Sequence, residues 1–558
     1  LGAGMAVAAT AVPGGGLDRD PRLEQETARW LCWDKNPLML ESVKRLVAEG
    51  NEEELHRCFG ARMEVETAGL RAAMGVGTSC MNDLTIIQTT QGFCRYLEKQ
   101  FSDPKQRGVV ISFDSRAHPP SGGSSRRFAR LAATMFISQG IPVYLFSGIT
   151  PTPLLSHLKL CAGIMVTASH NPKQDNSYEV YWDKEAQIIS PHDKGISQAI
   201  EENLKPWPHA WDDSSIDGSP LLHDPSASIN NDYFEDLKKY CFHRSVNTET
   251  KSAFKAFDLV PPEAESKQKD PDPEFTRVKY PNPEEGKGVL TLSFALADKT
   301  KTKIVLANDP DADRLAVAEK QVSGEWRVFS GNELGALLGW WFYTSWKEKN
   351  KDRSVLNYTY MLSSTISSKI LHAIALKEGF HIKETLTRFK WLGNRVKQLL
   401  DQGKTVLFAF EEAMGYMCCP FVLDKDRVSA AVISAELVSF LATKNLSMSQ
   451  QLEAIYMEFE ISAIRNLTTG YDDSQPDKKA VLSTSKSSQM ITFSFANGGV
   501  ATMRTSGTEP KIKYYTEVCA PPGNSDPEQP KKELNELVSA IEEHFFHAQK
   551  YNLQPKAE

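Results

Sequence analysis

No run in this 558-residue sequence is long and apolar enough to span a bilayer. The longest, near 430–442, is short and interrupted by polar residues, so the reading excludes a membrane protein. No long basic run is present, and the formal net charge is −7. A nucleic-acid binder would need the opposite electrostatic footprint. Cysteine is scarce and scattered, at positions 32, 58, 80, 94, 161, 241, 418, 419 and 519, an odd number without zinc-ligand spacing. That excludes a disulfide framework, and reduced thiols point to the cytoplasm. Residues 1–16 lack the basic segment and apolar core of a signal peptide. Residues 1–20 read as a disordered N-terminus, with Met5 the expected start.

What remains is a globular composition, 41% apolar, on a chain long enough for roughly three or four domains. Apolar runs at 108–113, 141–146 and 162–166 read as strands, with a helix at 122–140 between the first two. This alternation argues for a parallel, doubly wound sheet. Residues 66–71 read as a glycine-bearing turn carrying Arg71, and 178–181 with 186–189 as a hairpin. Segments 205–228 and 261–288 are rich in proline and charge and read as connections. The βαβ rhythm resumes with strands at 303–307, 358–362, 382–386 and 406–410 and helices at 331–346 and 429–441. The last hundred residues change character, with alternating strands at 489–496, 499–504 and 511–519 before a helix at 531–547.

Three stretches carry chemistry. Thr167-Ala-Ser-His-Asn-Pro172 follows a buried strand, which puts Ser169 on a tight loop where open α/β sheets bind ligands. Asp309, Asp311 and Asp313 alternate in a loop closed by Arg314. Their mutual repulsion asks for a divalent cation, and oxygen-only ligands suit Mg²⁺. The sixth and twelfth positions are Arg314 and Lys320, which excludes a calcium hand. Arg504-Thr505-Ser506-Gly507-Thr508 offers a guanidinium, three hydroxyls and backbone N–H groups, an anion nest with a phosphate clamp. Glu411 and Glu412 end a strand and could accept hydrogen bonds from sugar hydroxyls, while His170 and Lys173 are candidates for proton transfer. Together these parts specify phosphoryl transfer on a serine, with one Mg²⁺ and Arg314 neutralising the phosphoryl oxygens.

These motifs, in this order, closely resemble the α-D-phosphohexomutase superfamily, and within it the animal phosphoglucomutase-2/phosphopentomutase branch. Thr167–Pro172 corresponds to its phosphoserine loop, 309–314 to its metal loop, 411–416 to its sugar loop and 504–510 to its phosphate loop. The resemblance implies an α/β fold: three related α/β domains with mixed sheets plus a C-terminal α+β domain, around a central cleft. The implied boundaries are 21–225, 226–335, 336–459 and 460–558. It implies Ser169, His170, Lys173 and Arg71 as catalytic, and Ser169 with Asp309, Asp311 and Asp313 as the metal site. Arg314, Thr387, Lys390, Glu411, Glu412, Arg504, Thr505, Ser506, Gly507, Thr508 and Lys511 are implied as substrate-binding. The implied reaction interconverts ribose or deoxyribose 1- and 5-phosphates, and glucose 1- and 6-phosphates, through a sugar bisphosphate. Glucose 1,6-bisphosphate serves as primer, sugar phosphates are the only partners, and the chain is a cytoplasmic monomer. A sister branch makes glucose 1,6-bisphosphate.

The sequence also departs from the family pattern. Glu66 stands where a glycine is usual, Glu179 where a lysine is usual, and Arg388 and Arg427 where glycines are usual. A carboxylate facing a phosphoryl group opposes binding, and a side chain at a left-handed glycine position is strained. Segments are missing near Lys251, near Phe459 and, more briefly, near Pro153, which predicts a shortened second domain. A second reading is therefore an impaired phosphosugar-binding relic of the family.

Overall fold

The computed structural model describes residues 20–65, 69–155, 160–183, 185–243, 254, 257–259, 261–278, 281–282, 288–457, 465–466, 471–472, 490–494, 499–505, 512–518 and 528–546. Three helices, Pro21–Trp33, Pro37–Glu49 and Glu52–Phe59, pack together at the N-terminal side through Leu23, Trp30, Val43 and Phe59. The first sheet contains β1 (Gly69–Ala73), β2 (Val109–Phe113), β3 (Val143–Leu145), β4 (Ala162–Val166), β5 (Asp175–Trp182) and β6 (Leu222–His223). Its order is β1-β5-β4-β2-β3-β6. The β4-β2-β3-β6 portion is parallel, and β5 and β1 run antiparallel at one edge. The sheet is thus mixed, not the purely parallel one expected from the strand–helix alternation.

One local reading is corrected and one holds. Residues 69–71 are not a turn, because Gly69 opens strand β1 against β5. The backbones approach so closely there that a Cβ on Gly69 would lie 1.9 Å from the Tyr178 carbonyl oxygen. Residues 186–188 fold back on the end of β5 as the expected hairpin: Trp182 N donates to Ala186 O and Ile188 N to Val180 O, each at 3.0 Å, around an antiparallel bridge between Tyr181 and Gln187. The Gln187 carbonyl accepts from Asn394 Nδ2 of another domain, at 2.9 Å.

The second sheet has three antiparallel strands, β7 (Ile304–Asn308), β8 (Leu315–Lys320) and β9 (Trp326–Val328), in the order β9-β8-β7. The gap expected near Lys251 falls in a stretch outside the described residues. The third sheet, of β10 (Thr359–Ser364), β11 (His381–Thr385), β12 (Thr405–Glu411) and β13 (Gly415–Met417), has the order β11-β10-β12-β13. Only its last pair is antiparallel. Five antiparallel strands, β14 (Arg465–Asn466), β15 (Tyr471–Asp472), β16 (Met490–Ser494), β17 (Val500–Thr505) and β18 (Ile512–Glu517), make the fourth sheet.

Local chemistry sets the elements that lead into the centre. Helix Gly331–Lys349 starts in a capping box: Ser330 Oγ accepts from Glu333 N at 3.2 Å, and Glu333 Oε2 accepts from Ser330 N at 2.8 Å. Gly331 is required there, since a Cβ would lie 1.8 Å from the Glu412 carbonyl oxygen. One apolar core runs from Val110 and Met165 of the first sheet through Leu315 and Val317 to Phe408 and Phe410 of the third. That continuity holds the ends of three sheets against one another.

Candidate active site

Ser169 follows β4, as expected of a ligand loop, and has a left-handed backbone with φ 51. Two groups hold the loop. Thr167 Oγ1 accepts from Ser169 N at 2.8 Å and donates to Asp114 Oδ2 at 2.7 Å. Arg116, with no exposed side-chain surface, pairs with Asp114 at 3.0 Å. Its guanidinium donates to the carbonyls of Ser169, Asn171 (2.9 Å), Pro172 (2.8 Å) and Asp175 (3.3 Å). One cation thus gathers the backbone oxygens of the loop and turns its hydroxyl outward.

The Ser169 hydroxyl meets three groups. It donates to Asp309 Oδ2 at 3.0 Å, accepts from Arg314 at 2.5 Å, and has His170 Nδ1 3.3 Å away. His170 stays neutral, because burial and the surrounding cations Arg314, Arg71, Lys513 and Lys425 push its pKa well below the usual range.

Asp309, Asp311 and Asp313 are buried, with ligand oxygens all within 4.8 Å of one another. Burial alone would raise Asp309, but Arg314 beside it holds its pKa below the usual value. Burial and the neighbouring carboxylates raise Asp311 well above the carboxylate range and Asp313 to about 7. Asp311 Oδ1 is buried with no hydrogen-bond partner among the described residues. An unpaired buried oxygen inside a triad of hard donors fits a divalent cation. The Asp309 loop is tied on both sides. Thr152 Oγ1 reaches Asp311 Oδ2 at 3.2 Å, and Arg314 Nε donates to Ala413 O at 3.1 Å. Asp311→Asn is expected to raise the unfolding temperature without metal and to abolish any further rise on adding Mg²⁺, as scanning calorimetry would show.

The loop opens into a cleft of about 580 Å³ lined by the first, third and fourth sheets and by Asp313 and Arg314 of the aspartate loop. Glu411 and Glu412 form one wall. Burial and the charge of Glu412 push Glu411 up to about 7. Ser364 Oγ donates to Glu412 at 2.9 Å. Lys425, buried, pairs with Asp313 at 3.0 Å and Asp424 at 3.3 Å. Lys390, Arg504 and Lys513 also line the cleft. Arg504 lies 3.8 Å from Glu412. Four non-glycine residues with positive φ, Ser169, Ala312, Arg388 and Met414, sit at or beside this cleft, the kind of strain that clusters at active sites.

Comparison with known proteins agrees with this geometry. Residues 62–206, 241–324 and 330–459 match, in order, the α/β/α domains I, II and III of phosphoglucomutase/phosphomannomutase. The Homo sapiens phosphopentomutase is 77% identical, with 98% of this chain and 99% of that protein covered. This chain belongs to the α-D-phosphohexomutase family. The Homo sapiens glucose 1,6-bisphosphate synthase is 49% identical, with 96% of each chain covered. The open form of Paramecium parafusin, a phosphoglucomutase, shares the fold at TM-score 0.56 and 16% identity, with 88% of this chain and 96% of that one covered. The match to phosphopentomutase spans 607 aligned positions, more than the 558 residues of this chain, so the relative carries internal residues that are missing here.

Within this phosphohexomutase cleft, half of the sequence-derived site residues come together: Arg71, Ser169, His170, Asp313, Arg314, Lys390, Glu411, Glu412 and Arg504 line it. Asp309 and Asp311 lie behind Ser169 in the triad. Lys173 does not join them; its ammonium goes to Glu274 at 2.5 Å and it lines no part of the cleft. Thr387 precedes the lining residue Arg388 without lining the cleft itself. Thr505 is described only as the end of β17, and Ser506, Gly507, Thr508, Lys511 and Glu66 lie outside the described residues. Sequence reasoning missed Asp114, Arg116, Lys425 and Lys513 as site residues. Lys425 was legible as the cation between two acids in Asp424-Lys425-Asp426; the local Asp114–Arg116 pair gave no sign of its role, because the carbonyls Arg116 gathers lie more than fifty residues away.

The departures resolve differently. Glu179 lines the cleft, but Arg71 meets it at 2.7 Å and Gln187 donates to it at 3.0 Å, so its charge is compensated. Arg427 enters the first turn of helix Arg427–Thr443 behind the N-cap Asp426 and is not among the positive-φ residues, so no strain attaches to it. Arg388 has φ 82, the strained case expected of a side chain at a glycine position. Arg388→Gly is expected to stabilise the protein by about 1 kcal/mol, measurable by denaturant unfolding.

Proposed function

We propose that this chain is a phosphopentomutase that also acts on glucose phosphates, with Ser169 carrying the phosphoryl group. The observation behind this reading is the convergence of Asp309, Arg314 and His170 on one serine hydroxyl, at the wall of a cleft that Lys390, Arg504 and Lys513 also line. The phosphopentomutase relative at 77% identity supports the choice of pentose substrates.

In this reading the sugar 1-phosphate binds with its phosphate on Arg504 and Lys513, and its ring hydroxyls on Glu411 and Glu412. The free 5- or 6-hydroxyl then faces phospho-Ser169. Its oxygen attacks the phosphorus, the bond from phosphorus to Ser169 Oγ breaks, and the hydroxyl proton passes to neutral His170. Arg314 stays against Ser169 Oγ and stabilises the charge that develops there. When bound at the aspartate triad, Mg²⁺ supplies further neutralisation of the phosphoryl oxygens. The bisphosphate turns round in the cleft, Ser169 Oγ attacks the phosphoryl group at C1, and His170 returns its proton to the departing anomeric oxygen. Glucose 1,6-bisphosphate primes the cycle by phosphorylating Ser169.

Lys390 adds a pH dependence. Burial, and then repulsion from Arg388, lower its pKa to about 8. Its charge helps bind a phosphate dianion, so kcat/KM for ribose 1-phosphate is expected to fall as pH rises through about 8. Lys390→Arg removes that limb, and Arg388→Gly moves it to higher pH. A kcat/KM profile flat from pH 7 to 10 in the parent would refute this role.

A second reading, a phosphosugar-binding relic, draws on the internal residues absent relative to phosphopentomutase and on the strained Arg388. Turnover of ribose 1-phosphate by a folded sample with Mg²⁺ and primer separates the two.

A further inference from the structure

Arg116, the cation that gathers the Ser169 loop, is covered from a distant part of the chain. The Phe275 ring lies over its guanidinium, 4.9 Å from Cζ to the ring centre. One residue earlier, Glu274 takes the ammonium of Lys173 at 2.5 Å. Both contacts end on the same loop, since Arg116 holds its carbonyls and Lys173 belongs to it. None of these four side chains lines the cleft, so the grip comes from behind the reactive face.

The gripping segment is itself knotted. The Asp272 carboxylate accepts from the backbone N–H of Glu274 (3.0 Å) and of Thr276 (2.9 Å), and from Thr276 Oγ1 (2.5 Å). Phe275 N donates to Asp272 O at 3.1 Å, and Phe275 has φ 46. The sequence alone reads this stretch as a connection. It lies within the domain II match, whose strand β7 feeds the Asp309 loop.

We infer that residues 272–276 form a clasp that fixes the Ser169 loop in its reactive conformation, with Phe275 and Glu274 as positioning residues for phosphoryl transfer. The transfer part rests on the function proposed above. Ser169 has a left-handed backbone that its surroundings must impose. Arg116 imposes it through four carbonyls, and those bonds are strong only while water is kept off the guanidinium. The Phe275 ring excludes that water and meets the cation with its π-face. The Glu274–Lys173 pair is half exposed and orients the loop more than it stabilises it. Lys173 therefore acts as a tether, not in proton transfer.

The test uses the full chain with Phe275→Ala, Phe275→Tyr and Glu274→Gln. Amide hydrogen exchange over residues 167–175 is read by mass spectrometry, and kcat and KM are measured with ribose 1-phosphate. Phe275→Ala is expected to speed exchange in 167–175 by about 10-fold or more while the rest of the first sheet is unchanged. Its kcat is expected to fall by about 10-fold or more with KM within about 2-fold, and Phe275→Tyr to keep both near the parent values. Glu274→Gln changes both in the same direction by less. Unchanged exchange in Phe275→Ala overturns the clasp. So does faster exchange with unaltered kcat, or a loss of protection throughout the protein. If the parent shows no turnover while Phe275→Ala still loosens the loop, the clasp stands and the phosphotransfer reading fails.

Discussion

Ser169→Ala is expected to lose all phosphoryl exchange, with turnover of ribose 1-phosphate down by about 10⁴-fold or more. In the proposed mechanism the substitution removes the protein atom that forms and breaks a bond to phosphorus. It leaves the loop intact, because the carbonyls held by Arg116 and the N–H held by Thr167 belong to the backbone. Binding of sugar phosphate is therefore expected to survive, since the cleft cations Lys390, Arg504 and Lys513 are untouched. Calorimetric titration with glucose 1-phosphate alongside the rate assay checks both halves. A variant that neither binds nor turns over would show that the serine supports the cleft structurally.

Arg116→Ala is expected to have the largest effect on stability, about 3–5 kcal/mol. Asp114 and Arg116 have no exposed side-chain surface, so removing the guanidinium strands a buried carboxylate. It also strips hydrogen bonds from the carbonyls of Ser169, Asn171, Pro172 and Asp175. Denaturant unfolding measures the loss. Arg116→Lys is expected to recover little, because an ammonium is a point donor and cannot span four oxygens as a planar fork does. Arg116→Met with Asp114→Asn removes the stranded charge and separates that cost from the loss of the carbonyl bonds. A loss below about 1 kcal/mol in Arg116→Ala would show that water replaces the guanidinium and that the loop does not depend on it.

The strand ending at Val166, the aspartate loop and the paired glutamates were legible in the sequence because each is contiguous: an apolar run followed at once by reactive residues. Helix starts were legible where capping chemistry is local, as at Ser330 and Glu333. The role of Glu179 was not, because its effect depends on Arg71, more than a hundred residues earlier and brought alongside by the β1–β5 pairing. Lys173 misled for the same reason: beside a reactive serine in sequence, its side chain turns to an acid a hundred residues away. The clasp was illegible because a proline- and charge-rich stretch reads as a connection unless the surface it covers is known. Among the described residues, no helix is long and apolar enough to cross a membrane.

The central claim is that Ser169 gives its phosphoryl group to one end of the sugar and takes back the one at the other end. The most direct measurement incubates the folded chain with Mg²⁺, glucose 1,6-bisphosphate and ³²P-labelled ribose 1-phosphate, then follows label in ribose 5-phosphate and on the protein. The account predicts conversion to the 5-phosphate and labelled protein whose label maps to Ser169 and is lost in Ser169→Ala. A cooperatively folded sample that forms no 5-phosphate and takes no label on Ser169 would contradict it.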